Sequence, residues 1–267
     1  MSSVANPPGG FRPVRSRELR DAVGTFLLAQ GWAGLHCGDT LRRLEAGRAD
    51  FELLASLGSA SEVRAIALVT GSRLNLFVPN SSEVPAAASL VQARLAVLDR
   101  ISCLEAHLPH PLDHGFEVHR REMTVAASLR VPGRALPAVR PAGPADADQL
   151  WRVYDPVPWM RLESPADWAV RVAEERTWVA EIDGEVVAAA RWTKSFGTVV
   201  EVGGVATDPS RRRLGAGTAV VLAATAAALT DGMTPVLCFG DPELAPLYYG
   251  LGFELVGTEL AFRRRSG

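Results

Sequence analysis

The stretch from Glu201 to Thr218 combines a strand pattern, a stop signal and a glycine-rich turn in front of an alanine-rich helix. Pro209 ends the strand because proline has no N–H to donate to a neighbouring strand. Three arginines then lead into Gly215 and Gly217, where missing side chains let a ligand approach the backbone. The first N–H groups of a helix lack partners inside it and carry partial positive charge. The sequence therefore predicts a phosphate-type anion site at the start of this helix.

Two common phosphate-binding motifs do not fit this turn. The Walker loop needs a lysine after its last glycine, and no lysine lies here. The dinucleotide fingerprint needs a third glycine, but Val220 takes its place. Nucleoside triphosphate hydrolysis and a dinucleotide-binding fold are therefore disfavoured.

Two segments together resemble the acetyl-CoA-binding motifs of the GNAT N-acetyltransferase superfamily. The first is R-x-x-G-x-G at residues 212–217, preceded by Val-Ala-Thr-Asp-Pro at a strand end. The second is Leu-Tyr-Tyr-Gly-Leu-Gly-Phe at residues 247–253, which follows another strand pattern. The order of the two motifs makes the resemblance specific, and it extends over about residues 138–265.

The chain departs from the family pattern at four positions. Asp241 and Leu244 stand where Asn and Ala are common, so we expect altered contacts to the pantetheine arm. Arg213 and Leu214 stand where a glycine and a basic residue are common. The essential glycines of the turn remain.

The resemblance implies a V-shaped opening between the fourth and fifth strands of the domain, which holds acetyl-CoA as co-substrate. The backbone of Val205, Ala206 and Thr207 would pair with the pantetheine amides. The pyrophosphate would lie on the segment made of Arg212, Arg213, Leu214, Gly215, Ala216, Gly217 and Thr218.

The reaction of the family is direct transfer of an acetyl group from the thioester to an amine. This chemistry needs a neutral amine, a polarised carbonyl and a proton for the departing thiolate. Tyr248 stands at the family's tyrosine position and is the candidate acid; the alternative is an aromatic that only packs its helix.

Glu201 is the candidate general base, because an unpaired carboxylate inside an apolar strand is costly and its pKa would rise towards a useful value if the side chain faces the cleft. The β-bulge common in the fourth strand of the family decides whether Glu201 faces the cleft. The alternative is a surface or ion-paired carboxylate.

Prolines and glycines from Val131 to Pro144 predict a domain junction. We place the N-terminal domain at residues 1–135 and the C-terminal domain at residues 136–267. For the C-terminal domain the resemblance implies a mixed α/β fold, with a mostly antiparallel sheet flanked by helices. The smaller α/β first half resembles the degenerate acetyltransferase-like halves of some bacterial GNAT proteins. It would cover one side of the acceptor cleft or mediate a homodimer.

Local patterns predict the elements themselves. Asp183-Gly184 and the segment Thr70–Arg73 are hairpin signals, and Pro85–Ile101 is predicted as one helix. The predicted C-terminal order is strand, two helices, three strands, helix, strand, helix, strand. Its long helix, at about Leu214–Leu229, is shorter than the ~20 residues that span a bilayer and is predicted to be buried.

Composition narrows the functional classes. Hydrophobic residues make up 48% and charged residues 22% of the 267 residues, which is typical of a globular protein and excludes a disordered one. A net charge of −2 gives no general attraction for nucleic acid or an anionic membrane, so we expect neither as partner. The start of the chain lacks the apolar run of an export signal, which predicts a cytoplasmic protein.

Lys194 is the only lysine among 28 basic residues, and we interpret the excess of arginine as compositional bias. The three cysteines lie far apart, which favours buried thiols over a disulfide framework. Histidines cluster between residues 107 and 119 beside acidic residues, a density that could bind zinc. Pro109 and Pro111 break the helical spacing there, so we expect no metal site.

Three aromatic residues and one methionine surround the proline-rich segment 155–158. They would form a lip of the acceptor site, or alternatively a core that anchors the loop. These residues are Tyr154, Trp159, Met160 and Trp168.

The sequence therefore predicts an acetyl-CoA-dependent N-acetyltransferase that acts on a small-molecule or peptide amine. The alternative is a non-catalytic acyl-CoA-binding or regulatory module that kept the phosphate loop. The presence of Tyr248 with Gly215 and Gly217 favours the enzyme. The acceptor is not encoded in these motifs, because variable loops set specificity in this family.

Overall fold

The computed structural model describes residues 10–46, 51–105, 116–133, 135–158 and 160–265. The chain divides into two compact units. The first unit comprises Met1–Thr124 and Val256–Gly267, and the second comprises Val125–Leu255. The proline- and glycine-rich run lies inside the second unit, as does the predicted boundary between residues 135 and 136. None of the helices in the described residues is long and apolar enough to span a membrane.

The first unit is an α/β unit. It contains five whole strands, the first part of a sixth strand, and the end of the last strand of the chain. Its elements are β1 (Phe11–Pro13), α1 (Arg17–Ala29), α2 (Leu35–Glu45), β2 (Glu52–Leu57), β3 (Val63–Thr70), β4 (Arg73–Phe77), α3 (Val84–Arg94), β5 (Arg100–Leu104) and the first part of β6 (Phe116–Ala127). Strands β1 to β4 pair antiparallel in order, and β5 pairs parallel with β4. Leu90 of α3 belongs to the same buried cluster as Leu76 of β4 and Ile101 of β5.

The hairpin at Thr70–Arg73 is confirmed, but the single helix predicted over Pro85–Ile101 is wrong. Helix α3 ends at Arg94, and β5 begins at Arg100. The side chain of Ile101 is fully buried in the sheet. An apolar run of this length cannot be divided from its spacing alone, because the burial of Ile101 comes from strand pairing with distant residues.

The second unit contains the elements predicted from the motif-bearing half. They are β7 (Ala138–Pro141), α4 (Ala147–Tyr154), α5 (Pro165–Glu174), β8 (Thr177–Ile182), β9 (Glu185–Phe196), β10 (Val199–Thr207), α6 (Ala216–Thr230), β11 (Thr234–Phe239), α7 (Ala245–Gly250) and the first part of β12 (Phe253–Arg264). Strands β7 to β10 pair antiparallel in order, and β11 pairs parallel with β10. Asp183 and Gly184 both have positive φ, as the tight turn between β8 and β9 requires.

Helices flank both faces of this sheet. Trp192 of β9 donates from Nε1 to the carbonyl of Ala224 in α6, whereas the neighbouring Arg191 lies over the ring of Trp168 in α5. Adjacent residues of a strand point to opposite faces, so α5 and α6 cover opposite sides. Helix α6 is buried, as expected from its small apolar residues. The mixed, mostly antiparallel sheet flanked by helices is confirmed.

The three cysteines differ in exposure. Cys37 and Cys103 of the first unit are buried thiols as expected, and burial raises the pKa of each to about 12. Cys238 is exposed on β11, which contradicts the expectation. It lies beyond Val236, the last β11 residue that pairs with β10.

An ion pair between exposed Arg140 and buried Asp146 fixes the start of the α4 layer. Arg140 of β7 donates to both carboxylate oxygens of Asp146, at 2.8 and 2.7 Å, and the N–H of Gly143 donates to the same carboxylate. Asp146 is 5% exposed. The Arg140 guanidinium lowers the pKa of Asp146, so its carboxylate stabilises the fold when ionised.

We expect Asp146→Asn to lower the free energy of unfolding at pH 7 by about 1 to 3 kcal/mol, because Arg140 and the N–H of Gly143 lose a charged acceptor that is itself buried. The difference should shrink as pH falls through the lowered pKa of folded Asp146, below the ordinary aspartate value near about 4. Urea denaturation across pH measures both effects. Asp148→Asn, on the exposed side of α4, is the control. A loss as large in the control would contradict this role.

Candidate active site

Strands β10 and β11 run parallel but pair over a short length. The pairs are Val199 with Thr234, Val200 with Pro235, and Glu201 with Val236. In the described residues, the rest of β10 has no partner on β11. Backbone N–H and C=O groups need a partner, so this edge of β10 offers hydrogen bonds to a ligand or to water. This divergence lies between the fourth and fifth strands of the domain, where the resemblance implies an opening.

A β-bulge interrupts the pairing of β10 with β9 beside this opening. Gly203 pairs with Arg191 and Ala206 pairs with Ala189, so three steps along β10 oppose two along β9. Gly204 has a φ of +58°, a conformation that side chains disfavour. A Cβ at Gly204 would also lie 2.6 Å from Nε of Arg191. The bulge therefore depends on glycine at this position.

Tyr154, the last residue of α4, holds the bulge. Its hydroxyl donates a hydrogen bond to the carbonyl oxygen of Gly204. The side chain is fully buried, and its ring stacks on Trp168 with centroids 4.3 Å apart and an interplanar angle of 12°. Burial raises the pKa of Tyr154, so the phenol remains a hydrogen-bond donor.

Tyr154 and Trp168 therefore belong to the core that anchors the loop. Met160 is partly buried against the same core. Trp159 lies outside the described residues. For Tyr154 and Trp168, the core interpretation holds and the lip of an acceptor site does not, because neither side chain is exposed.

The turn between β10 and α6 has the features of a phosphate cradle. Gly215 is the N-cap of α6, with a φ of +86°, and no side chain caps the helix. A Cβ at Gly217 would lie 2.9 Å from Oγ1 of Thr207, so the cradle tolerates little beyond glycine. Ala216 and Thr218 are buried, which leaves their backbone N–H groups as their means of contact. Uncapped N–H groups behind a narrow glycine turn fit an anionic phosphate.

The three arginines of this turn differ in their contacts. Arg211 lies 3.6 Å from the carboxylate of Asp183. Arg212 and Arg213 are exposed and form no ion pair within the described part of the chain. Arg213 has a φ of +65°, uncommon for a residue with a long side chain, and Leu214 beside it is exposed. Two positive charges therefore stand unpaired beside the cradle.

The start of the turn is shaped by Asp208. Its carboxylate accepts hydrogen bonds from the hydroxyl and N–H of Ser210, at 2.7 and 2.8 Å, which lower the pKa of Asp208. The N–H of Asp208 bonds to the carbonyl of Val187 on β9. This residue therefore ends the strand and starts the turn.

Tyr248 lies in α7 with its ring buried between two phenylalanines. The ring centroids lie 5.0 Å from Phe239 and 6.0 Å from Phe253. Burial raises the pKa of Tyr248 to about 12, so the phenol carries its proton at neutral pH. Its hydroxyl forms no hydrogen bond to the residues that the structure describes. The ring packs its helix, and the hydroxyl remains available as a proton donor.

Steric crowding explains why a glycine follows α7. Gly252 has a φ of +91°, and a Cβ there would lie 1.9 Å from the carbonyl oxygen of Ser128. The N–H of Ser128 in turn donates to the carbonyl of Gly252. This close approach fixes the end of the segment that presents Tyr248.

Glu201 lies in a small polar cluster. Its carboxylate accepts from Nζ of Lys194, at 2.6 Å, and from the hydroxyl of Thr193. Thr193 is the extra residue on β9 between the pairs Glu201–Lys194 and Val202–Trp192. The Glu201 side chain is 11% exposed. It lies at the last pair between β10 and β11, and the structure places it in an ion pair.

The histidine-rich segment, for which we expected no metal site, is only partly described. His107, His110, Asp113 and His114 lie outside the described residues, whereas His119 and Glu117 lie on β6. Among the residues with described positions, no group of His, Cys, Asp and Glu is arranged to hold a metal ion.

The sequence did not predict the hydrogen-bond partners of Gly204 and Glu201. Tyr154 and Gly204 are 50 residues apart, and neither has a local pattern that points to the other. The available signal was the pair Gly203-Gly204, because glycine inside a strand often marks a bulge. Lys194 could have been proposed for Glu201 only with the register of β9 and β10 known.

Comparison with known families identifies this segment. Residues 145–253 match the sequence model of the acetyltransferase (GNAT) family. This segment is a GNAT acetyltransferase domain. The GNAT domain includes Glu201, the glycine turn and Tyr248. A search of curated proteins finds no significant match.

Solved GNAT structures share the fold over most of the chain. A GCN5-related N-acetyltransferase from Kribbella flavida has 23% identity and a TM-score of 0.56, covering 76% of this chain and 88% of its own. A GNAT-family acetyltransferase from Colwellia psychrerythraea has 12% identity and a TM-score of 0.67, with coverage of 96% and 99%. A tandem GNAT protein from the clavulanic acid biosynthesis pathway has 13% identity and a TM-score of 0.62, with coverage of 96% and 98%.

Proposed function

We propose that this protein transfers the acetyl group of acetyl-CoA directly to an amine of a small molecule or peptide. The observation that carries the proposal is the divergence of β10 from β11 next to an uncapped, glycine-lined start of α6. An extended ligand with a phosphate group fits such a pair of features. The GNAT domain supplies the reaction class.

The donor is recognised through backbone groups on one strand and one helix. Val205, Ala206 and Thr207 offer the edge of β10 to the pantetheine amides. The segment from Arg212 to Thr218 holds the pyrophosphate with N–H groups of α6 and two unpaired guanidinium groups. Acetyl-CoA supplies the activated acetyl group.

The residues of the chain supply the proton transfers. The amine nitrogen attacks the thioester carbon and the carbon–sulfur bond breaks. Tyr248 gives its phenolic proton to the departing thiolate, and Glu201 accepts the proton that the amine loses. Water returns the proton from Glu201 to Tyr248.

The second candidate is a non-catalytic acyl-CoA-binding or regulatory module. The observation that favours it is that the Glu201 carboxylate already accepts hydrogen bonds from Lys194 and Thr193. Such a module would bind acetyl-CoA without releasing CoA when an amine is added.

We also propose that the first unit is a degenerate acetyltransferase-like copy. Its order of strand, two helices, three antiparallel strands, helix and parallel strand repeats that of the second unit. Its β4 and β5 pair over four positions of a five-residue strand, so they do not diverge as β10 and β11 do. The tandem architecture of the clavulanic acid pathway protein is consistent with this duplication.

The start of α3 is unsuited to a pyrophosphate. Buried Glu83 is its N-cap and accepts a hydrogen bond from the hydroxyl of Ser56 at 2.6 Å. Pro85 removes one N–H from the first turn. A negative charge therefore stands where the second unit has glycine. The domain limits at residues 135 and 136, a homodimer and a cytoplasmic location stay predictions.

We expect Arg212→Ala to weaken acetyl-CoA binding by about fivefold to tenfold, because one charge-assisted hydrogen bond is lost. Isothermal titration calorimetry measures this, and wild type should bind one ligand per chain. Arg211→Ala removes an adjacent arginine that already contacts Asp183, and it should change the affinity less than twofold. Equal losses would mean that only the total charge matters.

We expect Tyr248→Phe to lower acceptor-dependent thiol release by about 100-fold while acetyl-CoA affinity stays within twofold, because only the transferable proton is removed. A panel of amines in a thiol-release assay measures this. Tyr249→Phe is the matched control, since this neighbour is exposed. Full activity of Tyr248→Phe would leave Tyr248 as a packing residue.

Glu201→Gln tests the base. If Glu201 accepts the proton of the amine, we expect thiol release to fall by about 100-fold with acetyl-CoA affinity unchanged. The same assay and calorimetry provide the readouts. A rate within twofold of wild type would show that the pair Glu201–Lys194 is structural. Binding without acceptor-dependent release in wild type would favour the non-catalytic module.

A further inference from the structure

The carbonyl oxygen of Gly204 accepts a hydrogen bond from Tyr154, a residue of α4. The tyrosine hydroxyl donates to this oxygen from a ring that is fully buried and stacked on Trp168. Neither Tyr154 nor Trp168 lies on the edge of β10 that faces the opening. Their contact with the site passes through the backbone of the bulge.

Arg191 secures the same bulge from β9. Its Nε, Cγ and Cδ atoms would lie 2.6, 3.0 and 3.2 Å from a Cβ on Gly204, so the arginine stem fills the space beside this residue. Its guanidinium pairs with Glu175 at the end of α5 and lies 5.8 Å from the centroid of Trp168. The side chain is 12% exposed. The bulge is therefore fixed by one hydrogen bond and by one buried, ion-paired side chain.

The segment after the bulge contains the backbone groups that we propose bind the pantetheine arm, so the direction of its N–H and C=O groups determines whether the arm can bind. Ala206 and Thr207 pair again with Ala189 and Ala188 of β9, after the extra residue has been accommodated. The hydrogen-bonding directions of Val205, Ala206 and Thr207 toward the opening follow from where that extra residue sits. A one-residue change of register reverses which backbone groups face each side.

We propose that Tyr154 is a positioning residue for the acyl donor, acting through the Gly204 carbonyl to set the β10 edge that receives the pantetheine arm. The inference rests on the proposed function. Without the hydroxyl, the Gly204 carbonyl would lose its buried partner, and the bulge would sample other registers. The fraction of molecules with the receptive edge would fall, and the apparent affinity would fall in proportion.

The test compares two probes on the full chain by calorimetry. CoA contacts both the β10 edge and the cradle, whereas 3′-phospho-ADP ends at the pyrophosphate and contacts the cradle alone. For Tyr154→Phe we expect the Kd of CoA to rise about fivefold to tenfold, the effect of losing one buried hydrogen bond. The Kd of 3′-phospho-ADP should stay within twofold, which a general loss of structure would not produce.

Thr225→Val is the matched control, because it also removes a fully buried hydroxyl from the second unit, one without a hydrogen bond in the described residues. Neither Kd should change. If Tyr154→Phe does not fold, Gly204→Ala is the variant to measure. Its methyl group would clash with Arg191 and disturb the same bulge. It should show the same split between the probes.

The inference is wrong if CoA affinity is unchanged in Tyr154→Phe or if both probes weaken equally. Should Gly204→Ala be the variant measured, the same two outcomes overturn it. Failure of the proposed cofactor site gives a different result, because wild type itself would then not bind CoA, and failure of the proposed catalysis alone leaves CoA binding by wild type intact.

Discussion

The candidate site of the second unit depends on the separation of two parallel strands. Strands β10 and β11 share three paired positions and then separate, which leaves backbone groups that the sheet does not satisfy. A protein tolerates such an edge where water or a ligand completes its hydrogen bonds. The bulge at Gly204 lies on β10 beyond the last of these pairs, and Pro209 follows the end of the strand.

The two units show how one topology can be open or closed. The first unit repeats the order of elements, but β4 and β5 remain paired along most of β4. Glu83 occupies the N-cap position of α3 without a side-chain capping hydrogen bond, and its carboxylate accepts a hydrogen bond from Ser56. In the second unit the equivalent place has Gly215, with no side chain. The proposed cofactor site and the corresponding part of the first unit thus differ in a few residues at one helix start.

Local chemistry made much of the second unit predictable. The tight turn at Asp183-Gly184 and the glycine turn before α6 need particular residue types, so the sequence displays them. In the first unit, β5 was merged into α3, because Ile101 owes its strand to pairing with β4 and with the end of β12. The short β1 and the strand β2 left no alternation strong enough to identify.

The candidate site was predictable to the same extent. The cradle is local, so its glycines could be found from the sequence alone. The environment of Glu201 could not, because the opposing Lys194 depends on an extra residue in β9 that shifts the register. The same holds for Tyr154, whose partner lies on another element.

The excess of arginine acquires a structural meaning once the contacts are known. Arg140 and Arg191 each bind a carboxylate and organise one end of a helix. A guanidinium can form two parallel hydrogen bonds to a carboxylate, and Arg140 does so with Asp146, which uses a property that lysine lacks. Arg212 and Arg213 have the same chemistry without a carboxylate beside them, and phosphate oxygens can take its place. Composition set how many arginines the chain has, but the fold separates those that stabilise it from those left for a ligand.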